Sequence, residues 1–280
     1  MNDNYSYTFG KKVYDLSART HVMGVLNVTP DSFSDGGKYY NNEDAVKRGR
    51  EIEAEGADFI DIGGQSTRPG ADEVSAEEEG KRVIPVIKAL AAEVKIPISV
   101  DTYRASVADA ALEAGAVMVN DISAFGFDSE MAATIAKHNA SAVAMHIKGT
   151  PKDMQKDPRY DDVMAELIQY FENAAWKANV AGIKQVIFDP GFGFGKNIEH
   201  NLTILKNLGD LKRLDSPIMV GFSRKSMIGK ILEIDDVHDR HEGTITLNTI
   251  AVLNGAHIIR VHDVKEGVRT ARMLDAYRNS

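Results

Sequence analysis

The chain contains no cysteine. Disulfide bonds and thiolate zinc sites are therefore excluded. It also lacks any apolar run of the length needed to span a membrane, and its first residues, Met-Asn-Asp-Asn-Tyr-Ser-Tyr, do not form an apolar signal core. These absences favour a cytoplasmic protein and argue against a membrane partner.

Basic residues are the minority among the charges. The sequence has 33 Lys and Arg against 41 Asp and Glu, which gives a net charge of −8. An acidic surface argues against nucleic acid as a partner, because the phosphate backbone would be repelled. An anionic small-molecule substrate would need a local basic pocket.

What the chain does have is a repeating pattern of short apolar runs, each followed by a helical stripe of apolar residues. Eight such units fill most of its 280 residues. Short runs of this kind are typical of parallel strands that are buried on both faces. The pattern predicts an α/β fold, a (β/α)₈ TIM barrel forming one domain over residues 1–280, with a short N-terminal β-hairpin in residues 1–20. A doubly wound open sheet is the main alternative.

The stretch from Val22 to Gly37 organises the prediction. Residues 22–28 are apolar except for Asn27 and indicate a buried strand, and Pro30 then ends the strand because it cannot donate a ladder hydrogen bond. The loop that follows ends at Gly36-Gly37, a flexible joint. We interpret residues 28–37 as a lid over a site, with an ordinary surface loop as the alternative.

Polar residues fall at the end of each predicted strand. They are Asn27, Asp61, Asp101, Asn120, His146, Asp189, Ser223, and Arg260 with His262. A single such residue is usually a cap or a turn former. Since a barrel builds its active site at the C-terminal ends of its strands, we expect several of them to converge on one mouth.

Two carboxylates and one amide, from Asp101, Asp189 and Asn120, suit a planar heterocycle that carries several N–H donors. The same two carboxylates would also fit an acid/base pair of the glycosidase kind. Lys225 is expected to keep both Asp residues ionised, which favours hydrogen-bond acceptance.

A second group is basic and comprises Thr67, Arg68, Arg260 and His262. With Asn27 available to a metal ion, this group could hold a di- or triphosphate. Arg260 and His262 lie on the same side of their strand, and a salt bridge across the barrel rim is the alternative role for that pair. The segment Ser223–Ser226 leads into a helix and could bind a carboxylate. Phe33 and Phe194, on glycine-flanked loops, could sandwich a flat ring.

Eight motifs taken together resemble one family. They are Leu-Asn-Val-Thr-Pro-Asp-Ser-Phe-Ser-Asp-Gly-Gly, Gly-Gly-Gln-Ser-Thr-Arg-Pro-Gly, Ser-Val-Asp-Thr, Val-Asn-Asp-Ile, Met-His-Ile-Lys-Gly-Thr-Pro, Asp-Pro-Gly-Phe-Gly-Phe-Gly-Lys, Gly-Phe-Ser-Arg-Lys-Ser and Arg-Val-His-Asp-Val. In this order, from about Val22 to near the C-terminus, the chain resembles the dihydropteroate synthases, pterin-binding TIM barrels of folate biosynthesis.

The resemblance implies a Mg²⁺-dependent transferase, expected to be a homodimer, that joins p-aminobenzoate to a dihydropterin diphosphate and releases pyrophosphate. It implies that the pterin is bound by Asp101, Asn120, Asp189, Lys225, Met145, Phe194 and Gly221. It assigns the diphosphate to Asn27, Thr67, Arg68, Arg260 and His262, with Asn27 as the metal ligand. It assigns p-aminobenzoate to Phe33, Pro69, Phe194, Lys225 and Ser226. The residues expected to act in catalysis are Lys225, Arg260, His262 and Arg68.

One residue departs from the family pattern. Gln65 stands where the family commonly has Glu, which removes a charge beside Arg68. Two alternatives remain open at this point, a methyltetrahydrofolate-dependent methyltransferase with a similar pterin barrel and a non-catalytic pterin-binding protein. Neither of these needs a diphosphate-binding group.

Overall fold

The chain starts with a small antiparallel hairpin. In a computed structural model that describes residues 5–29, 42–68 and 70–280, strands β1 (Ser6–Phe9) and β2 (Lys12–Asp15) pair with Tyr7 opposite Tyr14. Gly10 makes the turn with a positive φ of 62°, a conformation that costs glycine little. The predicted hairpin is confirmed.

Eight parallel strands follow the hairpin. Their bounds are β3 His21–Asn27, β4 Phe59–Gly63, β5 Ile98–Asp101, β6 Met118–Asp121, β7 Ser141–Met145, β8 Val186–Asp189, β9 Met219–Val220 and β10 Ile258–Val261. The helices are α1 Asn42–Ala54, α2 Ala76–Glu93, α3 Ala105–Glu113, α4 Met131–Lys137, α5 Val163–Ala181, α6 Ile198–Lys206, α7 Ser226–Leu232, α8 His241–Leu253 and α9 Val264–Arg278, with a 3₁₀ helix at Leu208–Leu214. Among these described helices, none has both the length and the apolar character required to cross a lipid bilayer.

The order of the strands identifies a barrel. Neighbouring strands run β8-β7-β6-β5-β4-β3-β10-β9. A parallel bridge between Phe188 of β8 and Ile218, just before β9, brings the two ends of the sheet together. The N–H of Phe188 donates to the carbonyl of Pro217 at 3.0 Å. The (β/α)₈ prediction is confirmed, and the open doubly wound alternative is wrong.

The seventh barrel strand is shorter than predicted. The sequence indicated a strand from Pro217 to Phe222, but only Met219–Val220 pair as β9. Pro217 has no N–H to donate. Ile218 contributes a single bridge rather than a ladder. The chain then leaves the sheet at Gly221.

The interior of the barrel is apolar at its lower end. Inward side chains from seven strands form one buried cluster with residues of the hairpin, namely Met23, Phe59, Met118, Val143, Ile187, Met219 and Ile258 with Tyr5, Phe9 and Leu16. The Phe9 ring meets the Phe59 ring edge to face at 5.0 Å, and the Tyr7 hydroxyl donates to the carbonyl of Val186 at 2.9 Å. The hairpin therefore closes the N-terminal end of the barrel, and only the opposite end remains open for a site.

Candidate active site

Two residues further along four of the strands, the inward positions turn from apolar to polar. Side chains alternate along a strand, so Phe59, Met118, Ile187 and Ile258 of the lower cluster are followed on the same side by Asp61, Asn120, Asp189 and Arg260. These polar residues form a layer near the C-terminal mouth. The expected convergence of strand-end residues is observed for this set.

An arginine lies at the centre of the polar layer, between two carboxylates. Arg260 donates through Nε to Asp61 Oδ2 at 2.7 Å and through Nη2 to Asp101 Oδ2 at 2.8 Å. Asn120 donates to the same Asp61 oxygen at 2.9 Å. The salt bridge considered above as the alternative role of Arg260 is thus present.

Asp61 lies deeper than the sequence suggested. It is in the middle of β4 rather than at its end, because the strand continues to Gly63, and it is fully buried. Its contacts to Arg260 and Asn120 make it a support for these residues rather than a member of the open rim.

Asp189 is the last residue of β8, and its two carboxylate oxygens have different surroundings. One oxygen, Oδ1, accepts the N–H of Gly191 at 2.8 Å. The other has no hydrogen-bond partner among the described residues. Asp189 therefore keeps one acceptor for a ligand at the mouth.

Lys225 and Phe194 lie together beside this carboxylate. The Lys225 Nζ is 4.2 Å from the centroid of the Phe194 ring, a cation–π contact. Phe194 is buried in a small apolar cluster with Ile122, Met145, Ile147 and Met154, and Tyr103 packs against its edge. The mouth therefore combines a flat apolar surface with carboxylate acceptors. Gly221 directly follows β9 and lies over the aliphatic part of the Arg260 side chain. A Cβ added at position 221 would lie 3.9 Å from the Arg260 Cβ, an ordinary contact.

Burial sets the ionisation of the acidic groups. It raises the pKa of Asp101 and of Asp189, although the charges of Arg260 and Lys225 act in the opposite direction. The Lys225 charge does lower the pKa of both groups, as expected, but desolvation by burial raises it by more. Asp189 and Arg260 lie near the C-terminal ends of β8 and β10, two strands of the same parallel barrel, and so belong to the same end of it.

The basic groups respond to the same burial. The pKa of Lys225 is lowered to about 8, first by desolvation and then by the Arg260 charge, although Asp189 raises it. The pKa of His262 is lowered to about 3 by burial and by the neighbouring arginines. His262 is therefore neutral at pH 7, whereas the sequence analysis placed it in a cationic group.

Ser223 contacts the neutral His262 ring. Ser223 Oγ accepts the backbone N–H of His262 at 3.1 Å and lies 3.0 Å from its Nδ1. We assign the Ser223 proton to Nδ1 and the ring proton to Nε2, which lets this hydroxyl both accept and donate. His262 then offers a neutral N–H donor to the mouth.

The loop after β4 brings Thr67 and Arg68 to the same region. Arg68 is exposed, and its charge lowers the pKa of both Lys225 and His262. Gln65 fixes the start of this loop, since its Nε2 donates to the Tyr103 hydroxyl at 2.9 Å and its Oε1 accepts from Arg104 at 2.6 Å.

A buried ion pair occupies the region around Gln65. Arg104 pairs with Glu79, which is almost fully buried, and donates to the carbonyl of Val74 at 2.7 Å. The neutral Gln65 side chain thus satisfies an arginine that already has a carboxylate partner.

Some predicted residues stand apart from this group. The His146 ring packs against Tyr160, Tyr170 and Phe171 beneath α5, outside the pocket. Ser226 is exposed and begins the short helix α7, directly after Lys225. Phe33 and Pro69 lie outside the described residues, as does most of the predicted lid at 28–37.

The described residues of the mouth offer Mg²⁺ few ligands of their own. Asn27, half-buried at the end of β3, offers one neutral amide oxygen. Mg²⁺ prefers oxygen ligands and usually keeps several waters and substrate phosphates. Within the described ranges, a group of acidic and histidine side chains close enough to share an ion is Asp109, Glu113 and His138, at the opposite end of the barrel. The mouth therefore suits an ion that arrives with a diphosphate.

Comparisons with known proteins agree with this arrangement. A family model described as pterin binding enzyme matches residues 23–262. The dihydropteroate synthase of Synechocystis sp. is 48% identical over 95% of this chain and 93% of its own length. The chain belongs to the dihydropteroate synthase family of pterin-binding enzymes.

Further relatives extend the match. The Escherichia coli dihydropteroate synthase is 47% identical over 94% of this chain and 93% of its own length. A crystal structure of the Yersinia pestis dihydropteroate synthase with a sulfonamide drug complex superposes with a TM-score of 0.93 at 43% identity, and covers 99% of this chain and 100% of that one. The Xanthomonas albilineans dihydropteroate synthase, solved with 4-aminobenzoic acid, has a TM-score of 0.91 at 40% identity over 97% of each chain.

Sequence reasoning missed several residues of the mouth. Ile122, Ile147 and Met154 complete the apolar cluster, and Tyr103 borders it. For Ile122 a signal existed, because it follows Asn120 by two positions. For Met154, in a polar loop, no local signal existed.

Proposed function

We propose that this chain condenses p-aminobenzoate with (7,8-dihydropterin-6-yl)methyl diphosphate, giving 7,8-dihydropteroate and pyrophosphate by a dissociative displacement. One observation carries the proposal: free carboxylate acceptors and a flat apolar surface lie at the same barrel mouth as Arg260, Lys225 and the His262 donor. The first set suits a ring with N–H donors, and the second suits its anionic leaving group.

The pterin is assigned to the acceptor side of the mouth. Asp189 offers its uncommitted oxygen, and Asp101 and Asn120 lie on the neighbouring strands β5 and β6. Met145 and Phe194 give the ring an apolar face, Lys225 borders it, and Gly221 leaves room. Buried donors without partners cost about 1–3 kcal/mol each, so such a pocket selects for a ring with matching N–H groups.

The diphosphate is assigned to the basic side. Arg260 uses two N–H groups on Asp61 and Asp101, which leaves the others of its five for an anion. Thr67 and Arg68, in the loop after β4, and the Nε2–H of His262, directly after β10, add further donors. Binding of an anion would raise the pKa of His262, so the ring could become charged as negative charge develops on the leaving group.

We assign p-aminobenzoate to the outer rim. Ser226 and Lys225 are candidates for its carboxylate, and Phe194, Phe33 and Pro69 for its ring. Phe33 and Pro69 belong to this proposal through the family resemblance alone.

Cleavage of the C–O bond to the diphosphate would place positive charge on the pterin methylene. Arg68, Arg260 and His262 would stabilise the departing anion, and Lys225 would hold the pterin in place. A neutral arylamine is already a nucleophile, so its attack needs no dedicated base. When bound, Mg²⁺ would neutralise part of the diphosphate charge, with Asn27 as its protein ligand.

The alternatives considered above are separated by one assay. A methyltetrahydrofolate-dependent methyltransferase or a non-catalytic pterin-binding protein would not release pyrophosphate. We expect pyrophosphate release from the dihydropterin diphosphate only when p-aminobenzoate and Mg²⁺ are both added. Pterin binding without such release would refute the proposed reaction.

A homodimer is part of the same proposal. Apolar side chains on α7 and α8 are partly exposed, including Ile231, Leu232, Ile250 and Leu253. Sedimentation at micromolar concentration should give twice the chain mass of 30.6 kDa. A cytoplasmic location remains a prediction from the sequence.

A further inference from the structure

We propose that Lys196 is a positioning residue for the pterin pocket, which holds the loop of residues 191–195 in the shape that presents Phe194 and Asp189 to the ring. This inference rests on the proposed pterin site. Lys196 does not contact the pocket itself, and sequence reasoning gave it no role.

The loop has an unusual backbone. Gly191, Gly193 and Gly195 all have positive φ, of 66°, 81° and 63°. A Cβ on Gly191 would lie 2.0 Å from the carbonyl oxygen of His146, and one on Gly195 would lie 2.3 Å from that of Lys148. The loop is therefore packed directly against the backbone that follows β7.

Such a backbone cannot satisfy its carbonyls through a strand ladder, so donors must come from elsewhere. Lys196 Nζ donates to the carbonyls of Gly191 and Phe194, at 3.0 Å each. Gln155 donates to the carbonyl of Gly193, and the Tyr160 hydroxyl donates to that of Gly195 at 2.8 Å. Among these donors, Lys196 alone bridges two carbonyls, and it is 2% exposed.

The third partner of Lys196 is the ring that was expected at the mouth. Lys196 Nζ lies 2.7 Å from His146 Nδ1. Burial lowers the pKa of His146 and of Lys196 well below their usual values. A fourth contact of Lys196 Nζ, to the carbonyl of His146, is longer at 3.4 Å. Even a neutral Lys196 amine has one proton for each of the two loop carbonyls.

Two of these contacts, to the carbonyls of Gly191 and Phe194, lead to pocket residues. Gly191, whose carbonyl accepts from Lys196, also donates its N–H to Asp189 Oδ1. Phe194, whose carbonyl accepts as well, presents its ring to Lys225. On the other side of the loop, Asn201 Oδ1 accepts the N–H of Gly193 at 2.8 Å. Loss of the Lys196 donors would free both pocket residues at once.

The test is Lys196→Met, which keeps the length of the side chain but removes its donors. The control is Lys184→Met, the same change at an exposed position before β8. We expect Lys196→Met to weaken binding of the dihydropterin diphosphate at least tenfold by calorimetry at 25 °C, with a parallel rise in its KM. The control should stay within twofold of the wild type.

A purely structural role would lower the melting temperature but leave the affinity of the folded protein unchanged, and that result would overturn the inference. If Lys196→Met does not fold, the same measurement uses Lys196→Gln, whose side chain is one atom shorter and should lose at least one of the two carbonyl contacts. An intermediate affinity would support the inference, and affinity within twofold of the wild type would overturn it. Absence of pyrophosphate release by the wild type would instead refute the proposed function.

Discussion

The Asp189→Asn variant gives the sharpest test of the pterin pocket. Asparagine has the same shape, and its oxygen can still accept the N–H of Gly191, now at 2.8 Å from Asp189 Oδ1. Its amide nitrogen would then take the place of the free carboxylate oxygen. A hydrogen-bond acceptor would thus become a donor that faces the N–H groups of the ring.

The loss can be estimated from two contributions. A hydrogen bond to a charged group contributes about 1.5–3 kcal/mol, and a buried donor left without a partner costs about 1–3 kcal/mol. Together they amount to about 2.5–6 kcal/mol. Since about 1.4 kcal/mol corresponds to a tenfold change in affinity, the Kd for the dihydropterin diphosphate should rise at least about sixtyfold.

Stability should respond in the opposite direction. Burial raises the pKa of Asp189, so the folded state holds the proton more tightly than the unfolded state does. Its ionised form therefore destabilises the fold as the pH rises above the unfolded pKa, and the penalty is present at pH 7. A neutral Asn removes this penalty, and we expect a melting temperature equal to or higher than that of the wild type.

Calorimetry with the dihydropterin diphosphate and thermal unfolding by circular dichroism would measure both effects. Asp210→Asn, at an exposed position on the 3₁₀ helix, is the matched control and should change neither quantity. Ligand affinity within threefold of the wild type in a folded Asp189→Asn protein would show that Asp189 does not bind the ring.

Three further changes test the charge layer and the closed end of the barrel. Arg260→Met should lower the free energy of unfolding by about 3–5 kcal/mol in denaturant titrations, because Asp61 and Asp101 lose their cation, and adding Asp61→Asn should recover part of the loss. Phe9→Ala should cost about 3–5 kcal/mol through the cavity it leaves, while kcat per folded molecule stays unchanged, since the hairpin is remote from the mouth; a large fall in kcat would contradict this separation. The lowered pKa of Lys225 means that stability should rise between pH 8 and pH 10.5, where the unfolded state still binds the proton, and unfolding curves of Lys225→Met should lack that rise.

Much of the fold could be predicted because its signals are local. The sequence Ser75-Ala76-Glu77-Glu78 is typical of a helix start, and the Ser75 hydroxyl accepts the N–H of Glu78 at 3.1 Å at the start of α2. The apolar runs marked each barrel strand to within a few residues. The depth of a residue inside the barrel was not local information, so Asp61 was placed at the rim when it lies in the middle of β4.

The sequence predicted which residues lie near the mouth better than it predicted the contacts among them. The positions of Asp101, Asn120, Asp189 and Arg260 followed from strand ends, but their pairing depends on strands far apart in the chain. The neutral state of His262 depends on burial, which no spacing reveals. Lys196 gave no signal, because its partners are a histidine ring and two loop carbonyls that only the folded chain brings together.

The alternation of side chains along the strands explains how one barrel contains both a core that stabilises the fold and a buried polar site that destabilises it. Inward positions at the lower end are apolar and join the hairpin in a single buried cluster, which stabilises the fold. Two residues later four of these faces carry polar or charged groups, and burial raises the pKa of Asp189 among them, which opposes folding. Since the stabilising layer lies at the end sealed by Phe9 and Leu16, the polar layer can remain open and partly unpaired. Mutations at the two ends should therefore separate stability from ligand binding, with Arg260 the exception because it belongs to both the charge network and the proposed diphosphate site.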